Sequence, residues 1–253
     1  MIFPLPYALQ VHAVLEMAAL TCGVAWYRQL RRRAGGGSML EGKAFAVAVG
    51  CIFGAAIGNK LVFWIEMPHL LAIHWNTPAV WLGGQSMVGG LLGGLLGVEL
   101  AKKLSGITYS TGDAFVFPVL LGLMIGRLGC FLAGLADGTF GTPTDLPWGI
   151  DFGDGIPRHP TQLYEIGFAA VLWRVLRRVQ ARLADRPGRL FKWMLVAYLV
   201  WRLLIDSLKP VPYAYPLGWS GIQWVCLVAL LIYLPTLLRQ PNPIRDTAQE
   251  ETA

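Results

Sequence analysis

Two arginines stand where charge is costly. Arg127 lies in "GRLGCFLAGLADGTFG", Gly126 to Gly141, at the tail of a long apolar run, and Arg202 lies inside "YLVWRLLID". An ionisable group within an apolar segment must be paired or hydrated, so it marks a candidate functional site by default. Gly126 and Gly129 flank Arg127 and leave its guanidinium uncrowded, as a bound anion requires. The planar fork of an arginine donates two parallel hydrogen bonds to a phosphate. The structural alternative for Arg127 is snorkelling to the membrane boundary. Tyr198, Arg202 and Asp206 recur every four residues and share one helix face, aligning a phenol, a guanidinium and a carboxylate. A plain Arg–Asp pair is the alternative there.

The octapeptide "RHPTQLYE", Arg158 to Glu165, is the third group. His159 precedes Pro160, which suits the first turn of a helix, and Gln162 and Glu165 fall three apart on one side of it. His12 and Glu16 lie one turn apart and are expected to satisfy each other, with proton handling as the alternative. Asn59 and Lys60 are similarly ambiguous. Cys130 reads as a small apolar filler. An acceptor role for its thiol is the alternative, because a nearby cation favours a thiolate. Two arginines from different segments suit the phosphate of a phospholipid above other ligands. No nucleotide loop, nucleophile elbow or metal motif is present.

The elements that must carry these residues are apolar. Of 253 residues 55% are hydrophobic and only 14% charged, with mean hydropathy +0.52, whereas a soluble domain carries nearer a quarter charged residues. The composition predicts an all-α integral membrane protein. Seven apolar segments, approximately 8–27, 44–65, 86–101, 112–134, 161–176, 191–208 and 220–238, predict a seven-helix transmembrane bundle. Basic residues alternate between connecting loops. Arg28, Arg31, Arg32, Arg33 and Lys43 fill the first, Lys102 and Lys103 mark the third, and Arg174 to Lys192 crowd the fifth. This pattern predicts an outside N-terminus and a cytoplasmic C-terminus. The net charge of +6 then reflects topology and anionic lipid, and no nucleic-acid partner is implied.

One transmembrane domain over residues 1–240 is expected, with a polar, disordered tail over 241–253. The first apolar segment reads as a retained helix. Cys22, Cys51, Cys130 and Cys226 lie inside apolar segments at no metal-ligand spacing, so neither a disulfide framework nor a zinc site is expected. Gly50, Gly54 and Gly58, Gly89, Gly93 and Gly97, and Gly122 with Gly126 each recur at intervals of four. Small residues at this spacing let helix backbones approach closely in a membrane.

"GRLGCF", then "HPTQLYE", then "YLVWR" together resemble the bacterial prolipoprotein diacylglyceryl transferases, over roughly Phe53 to Gln223. "GGQSMVGGLLG" is similar to the family's glycine-rich third-helix motif, whose paired glycines are Gly89 and Gly90. The resemblance implies a multi-pass protein of the bacterial cytoplasmic (inner) membrane, needing no cofactor or metal and acting as a monomer. It would transfer the diacylglyceryl group of phosphatidylglycerol to the lipobox cysteine thiol of a secreted prolipoprotein. Arg127 and Arg202 would hold the donor's phosphate and stabilise the leaving group. Tyr198 would stand near the reacting centre, and His159, Gln162, Tyr164 and Glu165 match the signature around the fifth helix.

The chain also departs from that pattern. The family histidine implicated in thiol activation is Val88 here, and the asparagines of the GRLGNF-type motif are Cys130 and Ala133. Leu82 replaces an expected aspartate, Ala56 replaces an arginine, and "LADGTFG" differs from the family's shorter loop. Valine accepts no proton. Donor-holding residues are thus retained while the acceptor-activating position is lost, and Glu16, His12 or His159 is left to supply a base. The expected function is a phospholipid-dependent diacylglyceryl transferase with a prolipoprotein or related acceptor. The alternatives are a different acceptor, a non-catalytic phospholipid-binding or assembly protein, or a transporter. The last lacks inverted repeats to support it.

Overall fold

The computed structural model describes residues 3, 5, 7–33, 35, 41–78, 81 and 83–238. Leu82 and the expected polar tail lie outside the described residues. Seven long helices coincide with the seven apolar segments: α1 (Ala8–Arg33), α2 (Gly42–Glu66), α4 (Met87–Leu104), α5 (Val116–Ala133), α6 (Thr161–Val179), α7 (Arg189–Ile205) and α8 (Gly221–Leu238). A short helix, α3 (Pro68–His74), occupies the second connection. The fourth connection departs from an all-α chain with a two-stranded antiparallel pair, β1 (Ile150–Asp151) with β2 (Pro157–Arg158), and an isolated bridge between Pro143 and Arg158. By length and composition α1, α2 and the stretch Asp113–Asp137 can each cross a membrane. Val14, Met17, Leu20, Ile52, Phe53, Ile57, Leu231 and Ile232 are all exposed. Helices apolar on their outer faces as well as their inner ones belong in lipid.

The core is built by α5, α6 and α7. Val116, Leu120 and Leu123 of α5 pack with Ala169, Leu172 and Leu176 of α6 and with Met194, Leu195 and Leu199 of α7; Val88 of α4 and Cys226 of α8 complete the cluster. Lipid tails are as apolar as leucine, so packing and polar contacts must hold the remaining helices together. Helices α2 and α4 run antiparallel with their glycine stripes in register, Gly50 against Gly97, Gly54 against Gly93 and Gly58 against Gly89. A Cβ on Gly54 would stand 2.3 Å from the carbonyl oxygen of Gly93. Helices α1 and α5 pair more loosely, and there Gly129 leaves room for the His12 ring, which a Cβ would meet at 3.0 Å.

This close approach makes a prediction. Gly54→Ala must push α2 from α4 and should cost about 1–3 kcal/mol. Gly90→Ala, where an added methyl meets nothing within 4 Å, should be neutral or stabilise by up to about 1 kcal/mol through helix propensity. Unfolding of the detergent-solubilised protein distinguishes the two; equal effects would refute the packing account.

Candidate active site

The site is organised by one carboxylate. Pro160 immediately precedes α6, and Gln162 and Glu165 in its opening turns face inward, both almost fully buried. Glu165 Oε1 accepts hydrogen bonds from Arg202 Nη1 at 3.1 Å and Lys209 Nζ at 2.7 Å, while Oε2 lies 2.7 Å from Arg127 Nε. Cations from α5, α7 and the turn after α7 thereby converge on α6. Arg202 Nη2 donates to Asp206 Oδ1 at 2.7 Å, one turn along α7. Asp206 Oδ2 accepts from Ser220 Oγ at 2.8 Å, and Gln223 accepts from Ser220 N and donates to Leu203 O and Ser207 Oγ, which joins α8 to the network.

Buried charges are tolerable only when paired and hydrogen-bonded. Here Arg127, Arg202 and Lys209 face Glu165 and Asp206, three cations against two carboxylates in contact. Two donors in the cluster have no hydrogen-bond partner among the described residues, Tyr198 Oη and Arg202 Nε, and both are fully enclosed. Buried polar groups are normally satisfied. Two acceptors, Glu165 Oε2 and Gln162 Oε1, are likewise enclosed without a hydrogen bond there, and the excess of cations over carboxylates in contact is what suits one further anion.

A second polar group adjoins the first through Arg127. Its Nη1 lies 3.8 Å from Cys130 Sγ, which lies 3.8 Å from His12 Nε2, and His12 Nδ1 lies 3.4 Å from Asp137 Oδ1. Thr139 Oγ1 donates to Asp137 Oδ2 and accepts from Gln162 Nε2 at 3.4 Å. The expected His12–Glu16 pair is not formed: His12 faces α5 and the turn Gly134–Asp137 beyond it, and half-buried Glu16 takes no part in the cluster. Cys130, at no metal-ligand spacing in the sequence, has His12 beside it, and the chain reversal after α5 brings Asp137 close as well.

Other sequence candidates are placed elsewhere. His159 Nδ1 lies 3.3 Å from Tyr164 Oη, which accepts from Trp148 Nε1 at 2.7 Å; this trio faces the connection between α5 and α6, and its polar contacts do not include the arginines. Gly89 serves the α2–α4 contact, and Gly126 meets no neighbour on its Cβ side. Asn59 accepts from the Ser86 backbone, and Lys60 donates to the carbonyls of Gly83 and Gly84, so both anchor the loop before α4. Val88 is enclosed in the apolar core that also contains Tyr198. Sequence reading misses Lys209 and Asp137. Lys209 has a signal, since it continues the face of Arg202 and Asp206 at a further spacing of three. Asp137 has none, because its partners depend on a turn.

Outside the apolar segments, two charges respond to their surroundings. Exposed Asp154 is held below the usual carboxylate range by its hydrogen bond from Arg158. Burial, reinforced by the charge of Arg202, lowers the Lys209 ammonium to about 8, against the pull of Glu165. A lowered amine pKa brings the neutral form to lower pH, so Glu165 loses one cation as pH rises through about 8. Binding of an anionic phospholipid in nanodiscs should weaken over that interval. Lys209→Arg, which stays charged, should abolish the pH dependence, and an equal decline in the variant would exclude Lys209 as its source. Glu165→Gln should cost about 3–5 kcal/mol, because it leaves buried cations uncompensated. Denaturant unfolding checks this, and a cost below about 1 kcal/mol, typical of an exposed pair, would contradict it.

Comparison with known proteins agrees with the motifs. The profile of the family described as prolipoprotein diacylglyceryl transferase matches residues 1–239. Phosphatidylglycerol–prolipoprotein diacylglyceryl transferase of Legionella pneumophila (strain Corby) is 33% identical over 197 residues, covering 77% of this chain and 74% of the relative. The enzyme of that name from Geobacter sulfurreducens is 39% identical over 172 residues, 65% and 63% of the two chains. That from Bordetella avium is 30% identical over 239 residues, 89% and 88%. With its three motifs converging on one buried ion cluster and a match running through nearly every helix, the chain belongs to the prolipoprotein diacylglyceryl transferase family.

Proposed function

We propose that this protein transfers the diacylglyceryl group of phosphatidylglycerol to a cysteine thiol of a prolipoprotein or related acceptor. The observation that carries this reading is the pair of buried arginines from α5 and α7, held by one carboxylate beside the orphaned donors Tyr198 Oη and Arg202 Nε. In this reading the donor's phosphate lies against Arg127 and Arg202, and Tyr198 donates to it. The thiolate attacks the glyceryl carbon bonded to phosphate. As the C–O bond breaks its electron pair moves onto the leaving oxygen, where charge develops and where fixed donors are most effective. Asp206 and Glu165 fix the guanidinium planes, and Gln162, Gly126, Gly129 and Gly90 shape the space around the head group.

We assign the chain seven spans in the bacterial inner membrane, an outside N-terminus and the reaction to the outer side of the bilayer, with residues 1–240 acting as one monomeric domain. Support comes from the seven long helices and from the basic loops between them. His159 and Tyr164, which contact each other and Trp148 at the start of α6, are assigned to the acceptor's approach.

Tyr198→Phe tests the reading without confounding it with folding. The hydroxyl has no hydrogen-bond partner among the described residues, so a purely structural role predicts unchanged or improved stability on its removal. Loss of a donor to the leaving group predicts transfer reduced by about 10²-fold or more. Release of glycerol phosphate from labelled phosphatidylglycerol, with a prolipoprotein peptide as acceptor, is the measurement. Full activity in the variant would remove Tyr198 from the mechanism, and no release by the wild-type protein would leave a lipid-binding protein of the same fold.

A further inference from the structure

We propose that His12, positioned by Asp137, is the base that takes the proton of the acceptor thiol. The inference rests on the transfer reading above and names the group which that reading lacks, since position 88 is an enclosed valine.

The structure decides among the bases that the sequence leaves open. Glu16 is half-buried and takes no part in the polar cluster, and His159 is engaged with Tyr164. Of the three, His12 is the one in contact with the group around Arg127.

The two ring nitrogens of His12 face different partners. Nδ1 lies 3.4 Å from Asp137 Oδ1, and Nε2 lies 3.8 Å from Cys130 Sγ. A carboxylate at Nδ1 favours the tautomer with its proton there, which leaves the lone pair on Nε2. The same carboxylate stabilises the imidazolium once Nε2 has taken a proton. Carboxylate, imidazole and sulfur in this order are the arrangement by which a histidine activates a thiol. Catalytic hydrogen bonds of this kind are often long in the free enzyme and tighten in the complex.

The surroundings fit the role. The His12 side chain is 24% exposed against 9% for Asp137, so the imidazole is open to an incoming group while its partner is enclosed. Thr139 donates to the other oxygen of Asp137 and fixes it. Gly129 provides the room in which the ring sits. Cys130 Sγ stands 3.8 Å from both Nε2 and Arg127 Nη1, so a sulfur atom is already accommodated between the base and the phosphate clamp. The chain after α5 joins this place to the acceptor's approach. Asp137 meets His12, Thr139 accepts from Thr161 and Gln162, and the Gly141 backbone donates to His159 O at 3.0 Å.

The chemistry balances. His12 Nε2 takes the proton of the incoming S–H, and the sulfur's electron pair forms the C–S bond to the glyceryl carbon. The C–O bond to phosphate breaks and its electron pair leaves on glycerol phosphate. The imidazolium then gives its proton to water, so the products are a thioether, a phosphate monoester and one proton. Nothing is oxidised or reduced. A thioether on Cys130 would be a dead end, so the thiol that His12 serves is the acceptor's.

The test compares two synthetic prolipoprotein peptides, one with the lipobox cysteine and one with selenocysteine in its place, whose selenol ionises at neutral pH without a base. The full-length protein in nanodiscs is given labelled phosphatidylglycerol, and glycerol phosphate release is measured. With the cysteine peptide His12→Gln should lose about 10²- to 10⁴-fold in rate, and Asp137→Asn about 10²-fold, the lower end of the same range. With the selenocysteine peptide both variants should come within a few-fold of wild type, which also shows that they are folded and hold the donor. Glu16→Gln should match wild type on both peptides. Equal losses on the two peptides would overturn the proposal by making His12 a structural or donor-binding residue, and full activity of His12→Gln on the cysteine peptide would overturn it outright. A diacylglyceryl adduct in the intact mass of the protein, removed by Cys130→Ala, would overturn it by making Cys130 the thiol that His12 serves. Wild-type protein inactive on both peptides would overturn the transfer reading itself, whereas failures confined to the variants strike the base alone.

Discussion

Glu165 is the constraint on which the rest of the site depends. It takes ion-pair or hydrogen-bond contacts from Arg127, Arg202 and Lys209 in a setting almost closed to solvent. None of the three cations could remain there alone, because an uncompensated buried charge costs far more than a helix–helix contact returns. One carboxylate therefore decides that α5, α6, α7 and the turn after α7 meet at a single level. It leaves Arg202 Nε without a hydrogen-bond partner among the described residues. The contact of Asp206 with Ser220 extends the same constraint to α8.

Such an arrangement needs a rigid frame, and glycine supplies much of it. The α2–α4 stripes bring two backbones to a separation that side chains would forbid, and α4 presents Val88 and Gly89 from that frame. Between α1 and α5 the same device acts more locally, where Gly129 admits His12 to the neighbourhood of Cys130. Two polar groups that belong to different helix pairs are thus joined through Arg127. The resulting chain of contacts runs from half-buried His12 on α1 through buried Arg127, Glu165, Arg202 and Asp206 to Ser220 and Gln223 at α8.

The chain combines the motif residues Arg127, Tyr198 and Arg202 with departures from the family pattern at Val88 and Cys130. Val88 is part of the apolar core, enclosed with Tyr198 and Leu199, so no proton acceptor is available at that position. Cys130, where the family motif has an asparagine, faces an imidazole and a guanidinium instead of packing as filler. The two changes lie in different surroundings: Val88 is part of the apolar core, and Cys130 adds a thiol to the histidine–aspartate pair beside Arg127.

Much of this was legible without coordinates. The seven helices follow from apolar run length, since a bilayer demands about twenty apolar residues per span. Arg127, Tyr198, Arg202, Asp206, Gln162 and Glu165 were legible because charge and hydrogen-bonding capacity are conspicuous among leucines. The glycine stripes announced their contact by spacing alone, though not which stripes would meet. What only the tertiary structure decided is pairing. Glu165 could have served His159 as readily as the arginines, Lys209 lies just past the end of its apolar segment, and His12 had Glu16 four residues away. Sequence spacing reports which residues share a helix face. Which faces meet is set by long-range packing and by a turn such as Gly134–Asp137, whose path no local periodicity encodes.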